Sequence, residues 1–218
     1  MKQIDQSSKS YPKLLCPLKQ APELLYALGE LNSILKNKLY ISVIGTRKVS
    51  SYGRRIVLDL IPKLVQKNAV IVSGLAPGID SLAHETALLA GGSTIGITGF
   101  GLNYLKSSFC SEISLKMINS GRGAVISPFK PSQKPEKWTF VERNKIIAAV
   151  SNILIVVEAP EKSGATYTVN DMLDLGREVY SVPGDIFNYN SVGTNRLIKE
   201  GALVLTSVDD ISFDKYYS

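Results

Sequence analysis

The residues of this chain best suited to hold a phosphate stand in short clusters of glycine, hydroxyl and basic side chains, each just after an apolar run. Gly45-Thr46-Arg47 leads into Ser50-Ser51-Tyr52-Gly53, and Ser73-Gly74-Leu75-Ala76-Pro77-Gly78-Ile79-Asp80 follows the next apolar run. Further clusters are Gly99-Phe100-Gly101, Lys162-Ser163-Gly164-Ala165-Thr166, Pro183-Gly184 and Ser191-Val192-Gly193-Thr194-Asn195. The chemistry they suit is anion binding. A helix N-terminus offers unpaired N–H groups and partial positive charge, and glycine lets a phosphate approach the backbone closely. One such loop is what any tight strand-to-helix turn looks like; several converging on one sheet edge make a site.

Other chemistries find less support. There is no Gly-x-x-x-x-Gly-Lys-Ser/Thr loop, and the first crossover is not Gly-x-Gly-x-x-Gly, which disfavours a P-loop ATPase or a standard dinucleotide site. The two cysteines, Cys16 and Cys110, are too few and too isolated for a disulfide framework or a thiolate metal site, and are expected to be reduced. His84, the only histidine, lies in Ala83-His84-Glu85 within a helical stretch and reads as a packing or surface residue. Without a second histidine no His-dependent triad forms unless His84 itself serves. No catalytic residue, metal or cofactor is assigned.

Loops of this kind need strands and helices to aim them. Apolar, β-rich runs occur at Tyr40–Ile44, Ala69–Val72, Thr94–Thr98, Ala124–Ser127, Ile153–Val157, Glu178–Val182 and Ala202–Thr206. Helical candidates lie between most of them, at Ser51–Lys67, Asp80–Ala90, Ser111–Ser120, Arg143–Val150, Thr166–Leu175 and Thr194–Glu200. This alternation predicts an α/β fold: an extended Rossmann-like parallel sheet with helices on both faces. Ligands in such sheets bind beyond the carboxyl ends of the strands, near a topological switch point. Asp80 is expected to cap its helix, Gly91 and Gly176 to supply left-handed C-caps, and Pro62 to kink or break the first long helix. Residues 1–39, with Pro12, Pro17, Pro22 and a helical stretch over Glu23 to Leu28, read as a short helical extension to a domain at 40–218.

At 44% hydrophobic and 20% charged residues the chain has enough apolar material for a sizeable core. Its formal charge of +6 suits a polyanionic partner, because lysine and arginine neutralise phosphate and release counterions. The first ten residues lack the apolar core of a signal peptide, and no apolar run approaches the roughly 18 to 20 residues that span a bilayer. The expectation is a soluble, cytoplasmic protein with no membrane partner.

Taken in order, the segments Tyr11-Pro12, Val43-Ile44-Gly45-Thr46-Arg47, Tyr52-Gly53, Ser73-Gly74-Leu75-Ala76, Gly78-Ile79-Asp80, Ala83-His84, Phe140, Arg143-Asn144, Val156-Val157-Glu158-Ala159, Ser163-Gly164, Gly176-Arg177, Val182-Pro183-Gly184 and Gly193-Thr194-Asn195 form a pattern. Over roughly residues 11 to 211 it resembles the DprA/Smf family of DNA-processing proteins. The resemblance implies single-stranded DNA binding without catalytic turnover, homodimers and, in transformation-competent bacteria, assistance in loading the RecA recombinase. Carried over by position, the DNA and phosphate site would use Arg47, Ser73, Gly74, Gly78, Arg143, Asn144, Lys145, Ser163, Gly164 and Asn195, with Phe140 or Trp138 stacking a base.

The chain departs from the family's pattern at definite places. Pro77 stands where the family usually has arginine in Ala-Arg-Gly-Ile-Asp, and Val192 where it has Ser-Arg-Gly. Phe140-Val141-Glu142-Arg143-Asn144-Lys145 replaces Phe-Pro-x-Arg-Asn-Arg. Two positive charges are thereby lost from the expected pocket. The chain ends soon after Asp209-Asp210-Ile211, so no C-terminal winged-helix domain is expected. The competing reading is a nucleotide-binding or phosphoribohydrolase-like protein of the same broad fold. Those enzymes carry Pro-Gly-Gly-x-Gly-Thr-x-x-Glu, and here the comparable stretch from Pro160 to Thr166 reaches Val169 in place of the catalytic glutamate.

Overall fold

The computed structural model describes the chain except for residues 37, 38 and 218, so those three positions of the expected extension and domain lie outside the described residues. Two strands come first, β1 (Lys2–Asp5) and β2 (Leu24–Gly29), then the single-turn helix α1 (Leu31–Ile34). The alternating part follows: β3 (Tyr40–Ile44), α2 (Ser51–Gln66), β4 (Val70–Ser73), α3 (Ile79–Leu89), β5 (Thr94–Ile97), α4 (Ser111–Asn119), β6 (Gly123–Ser127), α5 (Lys137–Ala149), β7 (Ile153–Val156), α6 (Ala165–Asp174), β8 (Glu178–Ser181), α7 (Val192–Lys199), β9 (Leu203–Val204) and α8 (Asp214–Tyr217).

Among the described residues nine strands make one sheet, ordered β1-β2-β6-β5-β4-β3-β7-β8-β9. The seven strands from β3 onward pair in parallel, and β1 and β2 add antiparallel at the β6 edge. The pleat divides the apolar runs between two cores. Ile41, Val43, Ile153 and Ile155 point to the face covered by α2 and α3, where they meet Val57, Ile61, Leu64, Ile79 and Ala83. Tyr40, Ile44, Leu154 and Val156 point to the other face and pack with Ile146, Ile147, Val169 and Met172 of α5 and α6. Covering on both faces explains why the strands read as unbroken apolar runs.

Three local expectations need correction. Glu23 to Leu28 is not helical: Leu24–Gly29 is a strand, with Tyr26 opposite Ser127 and Ala27 opposite Lys2. A short apolar run suits either element, and here the ladder of β6, which would otherwise be an open edge, decides it. Pro62 neither breaks nor ends α2, which continues to Gln66. The helix forgoes one backbone bond there, and Val57, Leu60, Ile61 and Leu64 bury its inner face. Asp80 is not the cap of α3, whose N-cap is Gly78; Asp80 sits in the first turn and turns its carboxylate back to the Gly74 N–H at 3.1 Å. Gly91 and Gly176 do follow their helices with φ of +77° and +65°.

Candidate functional site

The strand order reverses at β3. After it the chain steps to β4, β5 and β6 on one side, then returns to lay β7 on the other. The helix after β3 lies on one face of the sheet and the helix after β7 on the opposite face, so their connecting loops part and leave a crevice. A cleft of 390 Å³ occupies that place. Gly45, Thr46 and Arg47 form one lip, Pro160 to Ala165 the other, and α5 and the first turn of α6 form the wall through Phe140, Asn144, Tyr167 and Thr168.

Both lips are fastened. The Thr46 N–H donates to the Glu158 carbonyl at 2.7 Å, tying the end of β3 to that of β7. The Glu158 carboxylate is buried and accepts from the Ser50 N–H at 3.0 Å and from the Ser50 hydroxyl, while Ser50 caps α2 through the Gly53 N–H at 3.1 Å. Beneath this lip runs the loop after β4. Gly78 has φ +95°, and a Cβ there would run into the Thr46 carbonyl and Arg47 backbone, so the residue must be glycine for the two loops to stack. The Ile79 N–H then donates to the Thr46 carbonyl at 3.2 Å. These contacts hold Arg47 at the rim with its side chain exposed.

The floor is built around Arg143, which is buried on α5. Its Nη1 donates to the carbonyls of Gly74, at the end of β4, and of Ile97, at the end of β5, the latter at 2.6 Å. Its Nε donates to Asn144 Oδ1 at 3.2 Å, and its guanidinium carbon lies 5.9 Å from the centre of the Phe140 ring. Gly74 separates Arg143 from Asp80, and a Cβ there would collide with both charged groups. Burial pushes the Asp80 carboxyl upward, opposed by the charge of Arg143 and by the Gly74 and Ala76 N–H groups. Burial likewise lowers Arg143, to about 10, with Asp80 pulling it back up; the guanidinium is charged at neutral pH. Arg143 thus pins the helical wall to two strand ends.

His84 lies one turn beyond Asp80 on α3, fully buried. Thr94 Oγ1 donates to the Ile71 carbonyl at 2.8 Å, so its contact with His84 Nδ1 at 2.6 Å requires the ring to donate from Nδ1. Nε2 is then an unprotonated acceptor with no partner among the described residues. Burial, with a smaller contribution from Arg143, pushes the imidazole down from 6.5 to about 3. The folded chain holds the neutral ring, so the His84 contribution to stability is complete above pH 6.5 and is lost as pH falls toward about 3. Denaturant titrations at stepped pH are expected to show stability falling through that window. His84→Gln should flatten the slope, and an unchanged slope in the variant would rule the account out.

The residues expected from the sequence are distributed unevenly. Arg47, Phe140, Arg143, Asn144, Ser163 and Gly164 line the cleft. Ser73 does not present its hydroxyl there: it is fully buried and donates to the Val43 carbonyl at 2.7 Å. Gly74 and Gly78 act beneath the lips as described. Lys145 turns to Glu142, its Nζ 2.8 Å from the carboxylate, and Asn195 is spent on both backbone groups of Gly184, at 3.1 and 2.9 Å. Trp138 stands outside the cleft, 51% exposed, edge-on to Phe129 and donating from its indole N–H to Glu136 at 2.9 Å. Lys162, named from the sequence only as part of the Lys162-Ser163-Gly164-Ala165-Thr166 cluster, and Tyr167, not assigned to the site from the sequence, also line the cleft. Both are exposed, and Tyr167 puts a second aromatic ring in the cleft besides Phe140. The signal for Tyr167 was position alone: it lies in the first turn of α6, just after the Ser163-Gly164 turn.

Similarity to known proteins covers the whole of this arrangement. Residues 2–214 match the family model described as DNA recombination-mediator protein A. The DNA processing protein DprA of Bacillus subtilis is 37% identical over 205 residues, covering 94% of this chain and 68% of that protein. The curated relatives matched are spanned over 50–70% of their length. Among solved structures, DprA from Streptococcus pneumoniae superposes with a TM-score of 0.84 at 35% identity, over 96% of this chain and 72% of that one. DNA processing protein A from Helicobacter pylori, described for its unique single-stranded DNA binding mode, gives 0.84 at 25% identity over 99% and 95%.

Proposed function

Since the chain belongs to the DNA recombination-mediator protein A family, the DprA/Smf DNA-processing proteins, we propose that it binds single-stranded DNA in the cleft at the β3–β7 switch point. The observation that carries this reading is the composition of that cleft: exposed Arg47 and Lys162 on opposite lips, with Phe140 and Tyr167 along the wall between them. Cations across a groove hold consecutive phosphates, and aromatic faces accept any unpaired base, which gives affinity without much sequence preference. A duplex keeps its bases stacked inside and offers nothing to Phe140 or Tyr167. Arg143, Gly74 and Gly78 serve the site by holding its walls in place.

The proposed wider role follows the family: a homodimer that delivers single strands to a RecA recombinase in the cytoplasm, without turnover of its own. Sedimentation velocity and a RecA pull-down check these two contacts. Among the described residues no helix is long and apolar enough to cross a membrane. We also propose that residues 1–39 act as an extension to the core at 40–218, supported by β1 and β2 lying outside β6 in the strand order.

Titration of a fluorescently labelled oligo-dT across a salt series tests the central claim. The expected result is binding at low salt that weakens linearly on a log–log plot as counterions compete. Absence of binding at low salt would transfer the cleft to a mononucleotide, for which a 390 Å³ space is adequate.

A further inference from the structure

The loop between β8 and α7 carries Ile186, Phe187 and Tyr189, exposed at 75%, 91% and 70%. Side chains of this size left in water call for an account, because together they form an apolar patch on one short loop. The loop that bears them is tied down. The Tyr52 hydroxyl donates to the Pro183 carbonyl at 2.6 Å, and Asn195 brackets Gly184 from both sides. Asp185 accepts from the Phe187 N–H at 2.9 Å, and Asn188 accepts from the Asn190 N–H at 2.9 Å. Asn190 reaches across to the opposite lip of the cleft, its Nδ2 donating to the Lys48 carbonyl at 2.9 Å, while its own carbonyl accepts from the Ala159 N–H at 2.8 Å.

The patch therefore continues the cleft along the same carboxyl edge of the sheet. β8 lies beside β7, and neighbouring strands are about 4.8 Å apart, so the loop begins roughly one strand spacing beyond the lip at Pro160 to Gly164. The exposed cation Lys48 is joined to it by the Asn190 bond, and exposed Arg47 precedes Lys48 in the chain. Exposed rings beside positive charge, on a loop whose backbone is held, are the composition that binds single strands by stacking and phosphate contact together. A purely apolar partner would leave those cations without a counterpart.

We propose that Phe187 and Tyr189 form a second stacking platform, which takes bases of a single strand after it leaves the cleft over Lys48. The inference rests on the single-stranded DNA reading of the cleft and adds a direction: the strand runs along the sheet edge from β7 toward β8. Affinity should then depend on strand length, because a short oligonucleotide fills only the cleft and a longer one reaches the loop.

The test compares parent and Phe187→Ala/Tyr189→Ala protein by fluorescence anisotropy with oligo-dT of about 4 and about 16 nucleotides, in the range of single-strand site sizes. The parent should bind the longer strand more tightly, and the variant should lose roughly 10-fold to 100-fold for that strand while barely changing for the short one. Phe187→Tyr/Tyr189→Phe keeps both rings and should retain parental binding. Parental binding of both lengths with an unaffected alanine variant overturns the platform and leaves the cleft reading intact. A variant that changes only its mass in sedimentation, with both affinities unchanged, assigns the patch to contact between copies and also overturns it. If the parent binds neither strand at low salt, the cleft reading fails and the platform with it.

Discussion

Arg143→Met is expected to destabilise the fold by about 3–5 kcal/mol, the range for stripping one partner from a buried charged network. The substitution keeps the volume but abandons the Gly74 and Ile97 carbonyls and leaves Asp80 buried without its counter-charge. For a chain of this length that corresponds to a fall in melting temperature of roughly 10–15 °C. Asp80→Asn added to Arg143→Met should recover part of the loss, because the amide removes the orphaned negative charge. Thermal melts of the three variants check the claim, and a single variant melting within about 2 °C of the parent would contradict it. This places Arg143 in a positioning role: its guanidinium already serves strand ends, so its loss should reach DNA binding through the shape of the cleft.

Charge reversal of Arg47 and Lys162 together should do the opposite, sparing stability and removing affinity. Both side chains are exposed, so the melting curve should move by no more than surface substitutions usually cause, about 0.5 kcal/mol. Hydrogen bonds to charged groups contribute about 1.5–3 kcal/mol each, so losing two should weaken oligo-dT binding on the order of 100-fold or more. The neutral pair Arg47→Gln/Lys162→Gln gives the more diagnostic readout. Two fewer phosphate contacts should make the log–log salt dependence shallower by about 1.4. Full affinity and an unchanged slope in these variants would falsify the assignment of the lips.

Most of the sheet was legible because strands buried on both faces leave unbroken apolar runs. The runs at Tyr40–Ile44 and Ile153–Val157 lie within a residue of β3 and β7. The N-terminal strands were not legible. Lys2–Asp5 buries only Ile4, so its sequence carries no apolar run, and Leu24–Gly29 is a strand because of a partner nearly one hundred positions away. The cleft was legible to the same degree. Glycine clusters marked its lips, since backbone proximity demands that residue type locally. What a polar side chain does there depends on distant backbone: Ser73 meets Val43, 30 positions off, and Arg143 meets Gly74, 69 positions off. Neither commitment leaves a trace in residue type, and an arginine that staples a core reads like one that grips a phosphate.

The place of β3 between β4 and β7 also sets a timetable for synthesis. One edge of β3 is paired as soon as β4 emerges, but the other waits for partners such as Asn152, which is 112 positions beyond Tyr40. At typical translation rates that interval is about 6 to 20 s, during which a central, largely apolar strand presents an open ladder. The ligand cleft cannot exist before the interval ends, because one of its lips has not been made. A nascent chain arrested before β7 should therefore be aggregation-prone and unable to hold DNA, and binding competence should appear late and abruptly as the last third of the chain is added.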